Sequence, residues 1–268
     1  MIGKVLVILS KRQFFVCLAV LLQLVLSSEA WSEQPKSQVE CKIKVGWGDW
    51  PPYQYLEKGK PSGLQIDLVK QIGKFANCNL QFIPQNFKDN QLGIKNGSID
   101  MTFDTSITPE RSEFALFSKP YRNEVLALYV RPQFIEACQN KSIKDLILSG
   151  MRLGITRGNI YGEAIASIQS DALLDRKLIY RNDNTEHYRL FADNQLDALV
   201  EDPAVMAFMK RNNPKTGYLK MCQISVSSST VSLMFSKKTV NQKTVERFNQ
   251  AIDKVKQTSA YIRDWGWE

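Results

Sequence analysis

The chain has 268 residues, 44% hydrophobic and 23% charged, a globular mixture too apolar for a disordered chain and too interrupted for a multi-span membrane protein. Its net charge of +8 is spread thinly, in pairs such as Lys210-Arg211 and Lys237-Lys238, without the clusters that nucleic-acid arms or polybasic membrane anchors need. A single histidine, His187, removes most zinc sites and every triad that needs a second imidazole.

Lys4, Lys11 and Arg12 precede an apolar run over residues 14–26, and Ser28 and Ala30 follow at the spacing of small residues before a cut. This pattern predicts a secretory signal over residues 1–30, cleaved before Trp31, and a periplasmic mature protein. The run is shorter than the ~20 residues that span a bilayer. A first strand over 41–45 leads into a loop, 46–52, rich in Gly and Pro. Ile66, Val69, Ile72 and Phe75 recur every three residues and predict a helix over 65–76. A strand over 80–83, a short helix over 90–95 and a strand over 99–103 complete a helix-covered, mostly parallel sheet.

An extended run, 125–130, is expected to cross into a second unit of the same kind. There, strands are expected over 152–156, 177–180 and 197–200, with helices over 160–169 (opened by Asn159), 186–192 and 203–210. A return crossing over 226–235 leaves the last helix, 245–256, on the first unit. The expected lobes are therefore 31–126 completed by 230–268, and 127–229, facing each other across a hinge and a cleft. Without the signal segment four cysteines remain, Cys41, Cys78, Cys138 and Cys222, an even count that predicts two disulfides out of three possible pairings. If the strands opened by Cys41 and Cys78 are parallel neighbours, Cys41–Cys78 is favoured, and Cys138–Cys222 follows.

Several segments carry a resemblance: Asp49-Trp-Pro-Pro-Tyr-Gln-Tyr-Leu, Gly63-Leu-Gln-Ile-Asp-Leu, Asn96-Gly-Ser-Ile-Asp, Ser106-Ile-Thr-Pro-Glu-Arg, Phe117-Ser-Lys-Pro-Tyr, Gly154-Ile-Thr-Arg-Gly-Asn-Ile-Tyr-Gly-Glu and Asp197-Ala-Leu-Val-Glu-Asp. In this order, over residues 42–265, they resemble the periplasmic solute-binding proteins of the polar amino-acid uptake type, extracellular solute-binding family 3. The resemblance implies an α/β, two-lobed periplasmic binding protein fold of type II, hinged by two crossing strands. It implies a monomer that captures a small amino acid or a similar solute by hinge closure and hands it to the membrane subunits of an ABC importer, with no cofactor, no metal and no nucleic acid.

The resemblance also assigns a site. Arg111 is expected to take the solute's carboxylate, since a planar guanidinium can give two parallel charge-assisted hydrogen bonds. Asp202 resembles the aspartate that holds the ammonium group, although before Pro203 it is also a good helix cap. Ser106 matches a hydroxyl at the charged end, Asn159 is expected to open a helix whose N–H groups suit a carboxylate, and Tyr161 is a candidate to face the cleft. Trp50 and Phe87 match rings that sandwich the side chain. Asp104 departs from the family, standing where a Gly or other small residue is usual, and Trp47-Gly48 replaces the commoner Thr-Asp. A carboxylate at 104 would read a basic side chain or help to hold the ammonium.

Other functions fit less well. Cyclohexadienyl dehydratases share the fold but carry a Gly-Gly-Thr-Asn-type loop where this chain has Arg157-Gly-Asn-Ile-Tyr-Gly. Lytic transglycosylases add a catalytic domain, and receptor sensors add a membrane span, and neither is expected here. A stand-alone sensor that presents solute to a separate receptor remains the alternative binder. Asp104, Glu124 and Glu201 are the available general acids, but the sequence brings no two of them together and reads them as exposed carboxylates. No catalytic residue is expected.

Overall fold

The computed structural model describes residues 41–213 and 217–266, leaving aside the side chain of Ser225. The expected signal segment and its cleavage point lie outside the described residues. Among them, no helix is long and apolar enough to cross a membrane.

β1 (Cys41–Trp47) pairs in parallel with β4 (Cys78–Pro84) and with β5 (Met101–Thr105). Between β1 and β4 lie a two-stranded hairpin, β2 (Tyr55–Glu57) and β3 (Lys60–Ser62), and helix α1 (Leu64–Phe75). Ile66, Val69 and Ile72 are fully buried on one face of α1, as their spacing predicts. The next helix, α2 (Phe87–Asn96), starts three residues before the expected 90 because Asn86 caps it, its side chain accepting from Asp89 N. After α3 (Pro109–Phe114) and the short β6 (Ala115–Phe117), β7 (Arg122–Val130) enters the second half.

That half holds α4 (Ile143–Leu148), β8 (Leu153–Thr156), α5 (Glu163–Ser170), α6 (Ala172–Asp175), β9 (Ile179–Arg181), α7 (Asn184–Ala192), β10 (Ala198–Glu201) and α8 (Pro203–Asn212). β8 pairs in parallel with β9 and with β10. β11 (Lys220–Ser236) then returns, and α9 (Gln242–Lys256) and α10 (Ser259–Trp265) close the fold. Along one sheet the strand order is β4-β1-β5-β11-β7-β10-β8-β9, with β6 joined to β11.

β7 and β11 are antiparallel partners, and each also pairs within a different half: β11 with β5, β7 with β10. The crossings are longer than the expected 125–130 and 226–235. Their register shifts between Met221 and Ser225 and again between Ser225 and Ser227, which bends the ribbon where the halves meet. The fold is thus the expected two-lobed α/β arrangement with two crossing strands.

One core joins β1, α1 and β5 to α9, whose Val245, Phe248, Ile252 and Val255 are buried. A second core packs α4 and α5 against the inner strands of the second half. Both expected disulfides form. Cys41 and Cys78 are register partners on adjacent parallel strands, 4.6 Å apart at Cα. Cys138 and Cys222 are 5.7 Å apart at Cα and tie the segment after β7 to β11.

One helix start is corrected. Asn159 does not open a helix: the chain turns through Gly158 and Gly162, both at positive φ, and α5 begins only at Glu163 with Gly162 as its cap. The left-handed turns postpone the helix by three residues from the expected 160, and Asn159 lies in the loop.

Candidate functional site

The parallel strands of both halves aim their carboxyl ends at one place, where ligands settle in α/β sheets. β1 delivers Trp47, β5 delivers Asp104, β8 delivers Thr156 and β10 delivers Glu201 to the wall of a cavity of about 120 Å³. A bound water needs about 10–15 Å³ of such space, so the cavity takes on the order of ten non-hydrogen atoms, the size of a mid-sized amino acid. Among the described residues no group of three or more His, Cys, Asp or Glu is placed to hold a metal ion.

Arg111 forms the cationic wall. Thr108 caps α3 by accepting from Arg111 N at 3.2 Å, and Pro109 occupies its first turn. The side chain runs inward, with its guanidinium 5.6 Å from the centre of the Phe87 ring. Nη1 donates to Ser106 O at 2.8 Å, and Nη2 donates to Gly158 O, in the other half, at 2.7 Å. Only carbonyls receive these bonds. No carboxylate of the described residues lies within ion-pair distance of Arg111, and burial lowers its pKa against the longer-range pull of Glu110 and Glu124. Gly158 holds φ at +87, a conformation costly for residues with a Cβ, and so points its carbonyl back across the cavity.

Other side chains also join the halves. Gln91 Nε2 donates to the same Gly158 O at 3.1 Å, Trp50 Nε1 to Glu201 Oε1 at 3.0 Å, and Tyr53 OH to Asp202 Oδ1 at 3.1 Å. These bonds hold the two halves closed over the cavity.

The acidic wall differs from the sequence expectation. Asp202 is not part of the lining. Its Oδ1 caps α8 by accepting from Ala204 N and Val205 N, and also receives the Tyr53 hydroxyl. Glu201 lines the cavity instead, and its four acceptor positions are filled: Oε1 by Trp50 and Asp202 N, Oε2 by Asn184 and Tyr188. Burial pushes its carboxyl up to about 7 against those donors.

Asp104 and Glu124 line the same cavity, and Glu201, Glu124 and Asp104 are not the exposed carboxylates expected from sequence: hydrophobic strands carry all three inward. Asp104 sits at φ +55, a left-handed conformation that Gly adopts freely and Asp tolerates. Its Oδ1 accepts from Arg122 Nη2 at 2.6 Å, Arg122 Nε at 3.0 Å and Tyr121 OH at 2.9 Å. Burial first, then the surrounding carboxylates, pushes Glu124 up to about 8 despite Arg122.

Of the site residues expected from sequence, Trp50, Phe87, Asp104, Ser106, Arg111, Asn159 and Tyr161 line this one cavity, and Asp202 stands behind it. Tyr161 is anchored there, its hydroxyl oxygen accepting from Thr156 N at 2.9 Å. The sequence reading missed Gln54 and Asn90, which also line the cavity. Asn90 follows Phe87 by three residues and precedes Ile94 by four, so helical spacing alone puts it on their face.

The family described as bacterial extracellular solute-binding proteins, family 3, matches residues 43–264. A probable histidine-binding protein of Campylobacter jejuni is 24% identical over 221 residues, covering 82% of this chain and 81% of that protein. An ancestral arginine-binding protein solved with arginine superposes with a TM-score of 0.68 at 25% identity, covering 84% of this chain and 97% of that one. An ancestral amino-acid-binding protein, a precursor of cyclohexadienyl dehydratase, superposes with a TM-score of 0.65 at 21% identity, covering 84% and 94%, a likeness of fold.

Proposed function

This chain belongs to the bacterial extracellular solute-binding proteins, family 3, and we propose that it captures a free amino acid in the cavity between its halves, with the solute's carboxylate on Arg111. One observation carries the reading: a buried guanidinium in the wall of a closed cavity, bonded to carbonyls of both halves and to no carboxylate. A buried cation with no carboxylate within ion-pair distance is costly, and a carboxylate entering the cavity supplies one. Ser106 and Tyr161 border the same space, while Trp50 and Phe87 offer ring faces to the solute's side chain.

Capture works through closure. The hinge is the β7–β11 ribbon, with 31–126 and 230–268 as one lobe and 127–229 as the other. A solute shifts that equilibrium only through contacts made in the closed form, and Arg111 bonded to Gly158 puts such a contact at the seam. The closed monomer is what the membrane subunits of an ABC importer receive, in the periplasm, after the signal segment is cut before Trp31.

We read the chain as a binder rather than an enzyme. What supports this is the family and the relatives, which are binding proteins; of the cavity's carboxylates, Glu201 has both oxygens committed to donors. The test is isothermal titration of the oxidised mature protein with each of the common amino acids, then with prephenate and arogenate. One or a few amino acids bind and are recovered unchanged. Arg111→Ala loses that binding by roughly two to four powers of ten, since a carboxylate is then buried unpaired at about 3–5 kcal/mol. Unaltered affinity in Arg111→Ala removes the assignment, and turnover of prephenate or arogenate replaces it with the enzyme.

A further inference from the structure

Among the described residues, five buried side-chain nitrogen or oxygen atoms have no hydrogen-bond partner, and four of them belong to residues lining the cavity: Trp47 Nε1, Gln54 Oε1, Asn90 Oδ1 and Asp104 Oδ2. Three of the four are acceptors. Orphaned buried polar atoms are rare because each costs free energy, and these four cluster in residues around one space. A guest that brings N–H donors suits the acceptors among them once their side chains turn towards it.

The carboxylates agree. Glu201 is saturated, and Asp202 is outside the lining with one oxygen occupied by three donors. Asp104 is nine-tenths buried, with side-chain exposure of 9%. The donors on its Oδ1, Tyr121 and Arg122, are not lining residues, and Oδ2 is left without a partner. Glu124 has Arg122 as an ion-pair contact only at 4.0 Å.

Resting on the amino-acid reading above, we propose that Asp104 and Glu124, with the amide oxygen of Gln54, form the subsite for a cationic group of the solute, in place of Asp202. The two charged ends of the solute are then held mainly by the half that carries Arg111, and the second half contributes the seam. The cationic group is an ammonium or a guanidinium, from the α-carbon or from a basic side chain. Around Glu124 stand Arg122 on its own strand, Arg111 on α3, Asp104 on β5, and Asp202 and Glu201 at the end of β10. A cation entering there meets more negative than positive charge.

The test titrates wild type, Glu124→Gln and Asp104→Asn with L-arginine, with L-citrulline, whose side chain is neutral, and with 5-guanidinopentanoate, which lacks the α-amino group. Glu124→Gln decides, because it removes a charge without unpairing Arg122. Asp104→Asn is read beside its melting curve. The expected result is at least a tenfold loss of arginine affinity in Glu124→Gln. A loss that disappears with citrulline places the side chain in the subsite, and one that disappears with 5-guanidinopentanoate places the α-ammonium there. Arginine bound by both variants within twofold of wild type overturns the subsite and leaves amino-acid binding standing. A wild type that binds no common amino acid removes the broader reading, and the subsite with it.

Discussion

Arg111 and Arg122 are both almost wholly buried, at 4% and 3% exposure, yet their surroundings are opposite. Arg122 donates to Asp104, to Gln65 Oε1 and to Asn123 O, and lies 5.1 and 5.4 Å from the ring centres of Tyr53 and Trp265. Burial alone would lower its pKa, but Asp104 and its neighbours outweigh burial and raise it. Arg111 donates to two carbonyls and faces one ring, and burial outweighs the more distant Glu110 and Glu124. A buried cation neutralised inside the fold belongs to the architecture. One hydrogen-bonded only to carbonyls in a cavity wall has room for an anion from outside.

The largest effect that would break this contrast is on stability. Arg122→Met leaves the Asp104 carboxylate buried without its partner, a change that costs about 3–5 kcal/mol. In a domain of this size that lowers Tm by about ten degrees. Arg111→Ala strands no buried carboxylate and lowers Tm far less while abolishing ligand binding. Differential scanning calorimetry of both variants decides. Equal losses of Tm would mean that Arg111 is as architectural as Arg122.

A smaller effect sharpens the comparison through pH. With its carboxyl pushed up to about 8, Glu124 is protonated and neutral in the empty cavity below that pH. A cation binding beside it must displace the proton. Affinity for L-arginine therefore rises by about tenfold per unit from pH 6 towards 8, close to 1.4 kcal/mol per unit, and levels off above. Glu124→Gln removes the slope. Calorimetry in buffers of different ionisation enthalpy reads the released proton directly, and a flat profile in wild type would take Glu124 out of the cavity's chemistry.

Much of this was legible in the sequence, unevenly. The alternation of strand and helix gave the order of elements, because buried faces impose their period on the residues that form them: Ile66, Val69 and Ile72 are an example. Arg111, Phe87 and Trp50 came from a resemblance and reached the cavity. Glu201 and Glu124 were hidden because a carboxylate at the end of an apolar strand reads as the first exposed residue of a loop. What keeps Glu201 inside is its set of donors, Tyr188 and Asn184 from α7, Asp202 N beside it and Trp50 from the far half. No local pattern announces that set. Asn159 failed differently: a cap residue before an apolar stretch signals a helix, and the positive φ of Gly158 and Gly162 overrode the signal.

The smallest effect tests the seam alone. Trp50 stays packed on Tyr53, with ring centres 4.9 Å apart, so Trp50→Phe keeps an aromatic ring there and removes the Nε1 donor to Glu201. Glu201 retains three donors, and the second half keeps its structure. What is lost is a bond between the halves that exists only while they are closed. One such hydrogen bond contributes about 1 kcal/mol, which weakens ligand affinity about fivefold. Because the bond forms after encounter, stopped-flow fluorescence should show the change in dissociation with association nearly unaltered. A variant with unchanged dissociation would move the latch to Arg111, Gln91 and the Gly158 carbonyl, and leave the indole a wall of the cavity rather than a clasp across it.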